Sequence, residues 1–410
     1  MNFYRLLIVT ALFCTYLIQI ISEWLNLRSL RLKIPSELQG LYDAEKYRLS
    51  QEYTRERTLF GFIESTFSLA VLYIFWFARG FNRLDFFVRG MGFGPIATGI
   101  IYIGILILGS QILSLPFSIY STFVIEEKYG FNRTTVRTFI MDRVKGLLLT
   151  AVLGIPLLSV VLWFFQVAGG RAWLYCWLFS ALFLFVIQFI APIWLMPLFN
   201  KFTPLAEGEL KDKLREYCNS VRFHFRDIFV VDGSKRSAKA NAFFTGFGRS
   251  KRIALFDTLL EQQTVPEIVS VLAHEVGHYK KKHVFRMMVF SIVQLGVVFF
   301  ILSLFIAKQP LFAAFYMDRV SIYAGLLFFG LLYEPISFLI AIGMNLLSRH
   351  DELEADRFAV QTTDQPDHMI NALKKLSVKN LSNLTPHPFY VFLHYSHPPL
   401  LARVQSIRNK

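Results

Sequence analysis

Cysteine is scarce in this 410-residue chain, which has three: Cys14, Cys176 and Cys218. No two of them form a C-x-x-C pair, so the sequence supports neither a disulfide framework nor a cysteine-based zinc site. Cys14 and Cys176 lie within apolar runs, where we interpret them as small buried hydrophobic residues. Any metal site or nucleophile must therefore be sought among other residue types.

Acidic residues are also few, with 29 Asp and Glu against 43 Lys and Arg and a net charge of +14. A basic balance of this size can indicate nucleic-acid binding. Here the basic residues gather in alternate loops between long apolar runs, mainly after the first, third and fifth run and at the C-terminus. In membrane proteins, loops rich in Lys and Arg stay on the cytoplasmic side. This pattern therefore predicts a membrane protein with an external N-terminus and a cytoplasmic C-terminus. We predict a lipid bilayer, and no nucleic acid, as its partner.

Hydrophobic residues make up 54% of the chain and form runs long enough to cross a bilayer, which needs ~20 apolar residues per helix. The first run lacks the basic start and the small-residue cleavage site of a signal peptide, so we predict that it is retained. The sequence therefore predicts a mainly α-helical polytopic membrane protein. We predict seven membrane helices, at about 5–25, 59–78, 96–119, 146–168, 172–196, 284–307 and 320–346.

An H-E-x-x-H motif precedes the sixth apolar run. Residues four apart share one face of a helix, so His274 and His278 can bind one zinc ion together. Glu275 stands beside them and is predicted to be the general base that takes a proton from a metal-activated water. Thr264 and Glu267 have the spacing of a capping box and predict where this helix begins.

A third zinc ligand is expected downstream, in the acidic segment Ser348–Ala359. Glu352 and Asp356 lie four residues apart on a predicted helix. One carboxylate can bind the metal while the other accepts a hydrogen bond from a ligand histidine. Spacing alone does not choose among the acidic residues of this segment, which are Asp351, Glu352, Glu354 and Asp356.

Several blocks in a fixed order extend this pattern over most of the chain. With them, the sequence resembles the type I CAAX prenyl endopeptidases, integral-membrane zinc metalloproteases that process farnesylated proteins. Beside the H-E-x-x-H helix and Ser348–Ala359, the resemblance rests on Glu126–Asn132, Pro197–Leu205, Asn241–Phe247, Lys251–Leu260 and Ser396–Leu401.

The resemblance implies seven helices around a water-filled chamber and one Zn²⁺ ion. It implies Glu352 as the third ligand, Asp356 as the carboxylate behind a ligand histidine, and His397 as a catalytic group that stabilises the oxyanion. Asn241 is predicted to bind the substrate backbone, and Arg403 either to bind substrate or to pair with a carboxylate. The implied activity removes the C-terminal tripeptide from isoprenylated CAAX proteins.

The sequence departs from the family's H-S-N-A pattern, because Lys239 and Ala240 replace the histidine and the serine. This departure concerns any role of that histidine and serine, and it does not touch the predicted zinc site. The remaining histidines are interpreted as structural or solvated: His224, His283, His350, His368, His387 and His394. Of these, His283 and His350 are the first candidates for a role at the metal site, because they lie near the metal motifs in the sequence.

Four regions are predicted. Residues 1–196 form the N-terminal membrane region with a polar loop at 27–58, and residues 284–346 form two further spans. Residues 197–283 form a cytoplasmic α+β metalloprotease segment, with a helix at 206–222 and strands at 226–233, 243–247 and 252–256. Residues 347–410 form the C-terminal catalytic segment that carries the third ligand.

Two other functions are compatible with parts of this pattern. A quality-control membrane zinc protease without a prenyl requirement shares the metal motifs but usually has fewer spans. A transporter with a structural metal site would have four protein ligands, whereas this sequence offers three metal ligands and a general base. We expect the endoplasmic reticulum membrane as the location in a eukaryote and the inner membrane in a bacterium, with the active site facing the cytoplasm; the sequence leaves the oligomeric state open.

Overall fold

The computed structural model describes residues 2–30, 34, 43–239, 241–245 and 252–409. Within these residues, seven helices are long and apolar enough to cross a membrane, as predicted. The helices are α1 (Phe3–Ser29), α2 (Ala44–Phe77), α3 (Gly80–Gly90), α4 (Pro95–Tyr120), α5 (Val136–Val167), α6 (Ala172–Ile190), α7 (Glu209–Ser220), α8 (Asp257–Leu260), α9 (Val265–Lys280), α10 (His283–Phe305), α11 (Gln309–Ala314), α12 (Ile322–Thr363), α13 (Pro366–Lys379), α14 (Pro388–His394) and α15 (Leu400–Arg408).

Two of the membrane helices extend well beyond their apolar runs. Helix α2 begins at Ala44, where Asp43 Oδ1 accepts the Lys46 N–H at 2.8 Å, so polar residues predicted as loop continue the helix out of the bilayer. Helix α12 runs without interruption from Ile322 to Thr363. It therefore carries both the seventh apolar run and the Glu352 segment, and no flexible joint separates them.

Two membrane helices end in short π-helices. Helix α4 passes into Ser121–Glu126 and α6 into Ala191–Leu195. A π-helical turn changes the direction in which the following side chains point. Glu126, the last residue of the first of these turns, faces the polar segment of α2, where its carboxylate accepts the Tyr53 hydroxyl at 2.6 Å.

The predicted α+β unit contains a four-stranded sheet, ordered β1 (Phe202–Pro204), β2 (Asp227–Val231), β4 (Arg252–Phe256) and β3 (Ala242–Thr245). Strand β2 pairs with β4 in parallel, and β3 pairs with β4 antiparallel at the edge of the described sheet. Residues 246 and 247, predicted as part of β3, lie outside the described residues. Ile228 of β2 and Ile253 of β4 pack with Leu272 of α9 in one buried apolar cluster.

Aromatic stacking joins the membrane helices at the end of the bundle that carries α11. The Phe315 ring lies between Trp76 and Phe328, with centroids 4.1 and 3.9 Å away, and all three side chains are buried. The Trp76 indole N–H donates to the Ala314 carbonyl at 2.9 Å. Aromatic pairs of this kind each add about 0.5–1.5 kcal/mol beyond the area they bury.

Helix α9 crosses α12 at Gly277. A Cβ atom on Gly277 would lie 3.2 Å from the Cα and carbonyl oxygen of Ala355 and 3.2 Å from the Phe358 ring. Glycine therefore lets the two helix backbones approach closely at the level of the H-E-x-x-H motif. This crossing sets the position of Glu352 relative to the two histidines.

We predict that Gly277→Val separates α9 from α12 and weakens metal binding at least about tenfold, because overpacking of about 1–3 kcal/mol falls on the contact that aligns the ligands. Metal affinity and thermal unfolding of the purified protein check this outcome. Gly154→Val is the matched control, since nothing lies within 4 Å of a Cβ at Gly154. Parent-like metal affinity in Gly277→Val would contradict the role given to this crossing.

Candidate metal centre

Three side chains present their donor atoms to one point. The Nε2 atoms of His274 and His278 are 3.1 Å apart. Glu352 places Oε2 3.4 Å from His274 Nε2 and Oε1 3.4 Å from His278 Nε2. A tetrahedral zinc ion with bonds of about 2.0–2.1 Å separates its ligand atoms by roughly 3.3–3.4 Å. The two imidazole nitrogens and the Glu352 carboxylate, which faces each histidine with one oxygen, are therefore spaced closely enough to share one tetrahedral metal ion.

The Glu352 carboxylate also lacks the hydrogen bonds that burial normally demands. Its side chain is 7% exposed, and Oε2 is buried without a hydrogen-bond partner among the described residues. An unsatisfied buried carboxylate oxygen is costly, and a bound cation is one of the few ways to compensate it. This oxygen and the two imidazole nitrogens are thus the atoms that fit a metal ion.

A buried ion pair stands behind His274. Asp356 Oδ1 lies 2.9 Å from His274 Nδ1, and the Asp356 side chain is fully buried. Arg403 donates from Nε to Oδ2 at 2.8 Å and from Nη2 to Oδ1 at 2.6 Å. Asp356 Oδ1 is thus close enough to His274 Nδ1 to keep the ring proton there and leave Nε2 free for a metal. This role of Asp356 stays a prediction.

Arg403 forms its hydrogen bonds with Asp356. Of the two expectations for this residue, the structure places its guanidinium on a carboxylate, because two of its nitrogens are bound to Asp356. Its third nitrogen, Nη1, lies 3.6 Å from Glu352 Oε2. A direct contact of Arg403 with substrate stays a prediction.

Burial and nearby charge shift the pKa values of the histidine and the proposed base. For His274, burial lowers the pKa, but the adjacent carboxylates of Asp356 and Glu352 outweigh it and raise the pKa to about 9. Burial raises the pKa of the Glu275 carboxyl above its ordinary value. A carboxylate with a raised pKa is a stronger proton acceptor, which suits a general base.

His397 lies at the open side of the donor cluster. Its Nε2 is 3.3 Å from Glu352 Oε1, and its side chain is 65% exposed. The Ser396 hydroxyl lies 2.9 Å from the other ring nitrogen, Nδ1. The imidazole is therefore close enough to the candidate metal site to contact a molecule bound there and exposed enough for that molecule to reach it.

Asn241 occupies the beginning of the edge strand β3. Its side-chain Oδ1 accepts the Ala242 N–H at 2.9 Å, and its carbonyl accepts the Phe256 N–H at 3.1 Å. These bonds cap and align β3, while the amide group stays exposed to solvent. Its contact with a substrate backbone stays a prediction.

Sequence reasoning missed the role of Lys239. Its ammonium contacts Glu126 Oε2 at 3.0 Å and the Tyr53 hydroxyl at 2.8 Å. Lys239 thereby fastens the segment leading into β3 to α2 and to the π-helix after α4. The departure from the family's H-S-N-A pattern at this position was the available signal.

These features are those of a membrane metallopeptidase in which two metal-ligand candidates lie on α9 and the third lies on the membrane helix α12. Comparison with known proteins identifies the family. Residues 204–410 match the model of peptidase family M48, and residues 23–201 match the model described as CAAX prenyl protease N-terminal, five membrane helices. The chain belongs to peptidase family M48 and, with both matches in order, to its CAAX prenyl protease group.

Individual relatives match over nearly the whole length. The CAAX prenyl protease 1 homolog of Arabidopsis thaliana is 35% identical over 98% of this chain and 95% of its own. CAAX prenyl protease 1 of Saccharomyces cerevisiae is 34% identical over 92% of this chain and 88% of its own. The crystal structure of S. mikatae Ste24p is 31% identical with a TM-score of 0.94, covering 98% of this chain and 99% of that one. The protein is a multi-pass membrane metalloendopeptidase.

We predict that Asp356→Asn lowers zinc affinity about 10- to 100-fold, because it weakens the acceptor that orients His274. It also removes the anionic partner that binds two nitrogens of Arg403 and leaves only Glu352 Oε2, 3.6 Å away, so the unfolding temperature of the metal-free protein should fall. Zinc competition with a chelator and thermal unfolding check both effects. The exposed Asp367→Asn is the control, and parent-like values in Asp356→Asn would be incompatible with this role.

Proposed function

We propose that this protein is a zinc endopeptidase that removes the C-terminal tripeptide of isoprenylated CAAX proteins. The observation that carries the proposal is the cluster of His274, His278 and Glu352, whose nearest nitrogen and oxygen atoms are 3.1–3.4 Å apart, next to the half-buried Glu275. The donor set of two imidazoles and one carboxylate is typical of catalytic zinc, which keeps its fourth position for water or substrate. The substrate class is supported by the names of the relatives, which are CAAX prenyl proteases.

Zinc, when bound, supplies a Lewis acid and makes a water molecule acidic near neutral pH. Glu275 accepts the proton of the attacking water on its carboxylate as the water oxygen adds to the scissile carbonyl carbon. The carbon–nitrogen bond then breaks, and Glu275 delivers that proton to the leaving amine nitrogen. Products are a shortened peptide carboxylate and a free tripeptide.

His397 and the edge strand place the substrate in this scheme. The exposed His397 imidazole donates a hydrogen bond to the oxygen that becomes negative during attack. Strand β3, which follows Asn241 and lies at the edge of the described sheet, accepts an extended peptide as an additional strand. Arg403 acts through Asp356 and also lies close enough to Glu352 to limit its negative charge.

The membrane topology is part of the same proposal. Basic loops follow the first, third and fifth spans, so the metal centre faces the cytoplasm and the N-terminus lies outside. This orientation suits substrates that are prenylated in the cytoplasm. We propose the endoplasmic reticulum membrane as the location in a eukaryotic cell and the inner membrane in a bacterium, and the seven helices as the wall of a water-filled chamber.

The N-terminal match also separates this proposal from its nearest rival. A quality-control protease without a prenyl requirement shares the metal motifs, yet residues 23–201 match the five-helix region described for CAAX prenyl proteases. The proposed dependence on an isoprenyl group rests on that region and on the relatives.

The test is cleavage of a farnesylated CAAX peptide by the purified zinc-loaded protein, followed by mass spectrometry. We expect loss of three residues, and Glu275→Gln should retain zinc but lose at least about 100-fold in rate, since general-base catalysis contributes about 10²–10⁴-fold. Glu352→Ala should instead lose zinc. The exposed Glu216→Gln serves as the matched control.

Two outcomes would count against the proposal. Equal cleavage of farnesylated and unmodified peptides would favour the quality-control function. A zinc-loaded Glu275→Gln variant as fast as the parent would remove Glu275 from the mechanism.

A further inference from the structure

A third histidine lies against the far side of the H-E-x-x-H motif. The His283 side chain is 3% exposed, and its Nδ1 atom is 3.0 Å from Nδ1 of His278. The two rings are nearly perpendicular, at 77°. His283 is thus in hydrogen-bond contact with the nitrogen of His278 that points away from the donor triangle.

The direction of this hydrogen bond follows from the role of His278. Its Nε2 faces His274 and Glu352 at 3.1 and 3.4 Å, so this is the nitrogen that a metal would bind. A metal-bound nitrogen carries no proton, and a neutral imidazole then holds its proton on Nδ1. The His278 Nδ1–H must therefore donate to His283, which accepts through its own Nδ1.

His283 then carries its proton on Nε2, and a carboxylate receives it. Glu354 Oε2 lies 3.0 Å from His283 Nε2, and Asp351 Oδ1 lies 3.9 Å away. Lys281 binds the other oxygen of Glu354 at 3.0 Å, and Arg286 pairs with Asp351. Each hydrogen bond from His278 through His283 to Glu354 thus points the same way and ends on an anchored carboxylate.

The backbone explains how His283 reaches this place. Helix α9 ends at Lys280, and Lys282 adopts a left-handed conformation with φ of 59° before α10 begins at His283. This turn separates α9 from the start of the sixth span. It brings the first side chain of α10 back against the last turn of α9.

We propose that His283 is a positioning residue for the metal centre, which holds His278 through a relay that ends on Glu354. The relay keeps the His278 proton on Nδ1 and its ring directed at the metal. His274 receives the equivalent support directly from Asp356. The inference rests on the proposed function, in which zinc binds His274, His278 and Glu352.

Two substitutions separate the hydrogen bond from the shape of the ring. His283→Phe keeps a flat ring without an acceptor, while the amide oxygen of His283→Asn can stand where Nδ1 accepts. A cavity of about 420 Å³ beside His283, lined by Gln188, Met287 and other side chains, leaves space for the phenyl ring. The exposed His224→Phe is the matched control.

The measurement is the zinc dissociation constant of the full-length protein in detergent, with zinc set by a chelator buffer. We expect His283→Phe to bind zinc about 10- to 100-fold more weakly and His283→Asn to stay within about threefold of the parent. In the cobalt-substituted protein, the visible absorption bands should shift in His283→Phe and not in His283→Asn or His224→Phe. Thermal unfolding of the metal-free forms verifies that each variant is folded.

Parent-like zinc affinity in His283→Phe, or equal losses in the Phe and Asn variants, would overturn the inference. If His283→Phe does not fold, Glu354→Ala carries the test, because this side chain is 32% exposed and its loss removes the end of the relay. We expect Glu354→Ala to lower zinc affinity about tenfold. Unchanged affinity in Glu354→Ala would reject the relay.

His274→Ala distinguishes failure of this inference from failure of the metal centre itself. Weak binding in His274→Ala beside parent-like binding in His283→Phe would reject the relay alone. Zinc binding that His274→Ala leaves intact would reject the proposed centre and the relay with it.

Discussion

The metal centre depends on one packing contact, the close crossing of α9 and α12 at Gly277 and Ala355. Two of the three ligand residues lie on α9 and the third on α12, so the 3.4 Å separations between the histidines and Glu352 are a direct product of that crossing. Because α12 is continuous from its apolar part to Thr363, the position of Glu352 is fixed by a membrane helix. The packing of the membrane helices therefore determines the geometry of the metal centre.

Features that depend on short stretches of sequence could be predicted. The seven membrane helices follow from apolar length, since the bilayer sets the number of residues that must be shielded. The shared face of His274 and His278 follows from the helical period, and the Thr264 N–H does bond Glu267 at 2.8 Å as the capping pattern predicts. The strands β2 and β4 also lie within their predicted segments because apolar runs bounded by turn residues mark them.

Features that depend on the relative rotation of two distant helices could not be derived from spacing. Four acidic residues between 351 and 356 were equal candidates for the third ligand, and only the phase of α12 against α9 turns Glu352 toward the histidines. The same phase turns Asp356 toward His274 and Arg403, and Glu354 toward His283. The resemblance to a family supplied the assignment of Glu352 and Asp356, while the relay through His283 required the turn at Lys282 to be seen.

The electrostatics of the centre explain why metal and protons compete for it. Three carboxylates, of Glu275, Glu352 and Asp356, face one guanidinium, that of Arg403, in a largely buried site. The negative excess is costly in a low-dielectric interior, and a divalent cation is the charge that offsets it. Without a cation, protons are the remaining source of positive charge, and the carboxylates of Asp356 and Glu352 accordingly raise the pKa of His274 to about 9. The raised pKa of His274 and the fit of the site to a divalent ion thus have one cause, the negative charge of Glu352 and Asp356 assembled where α9 crosses α12. The pKa of Glu275 is raised mainly by its burial.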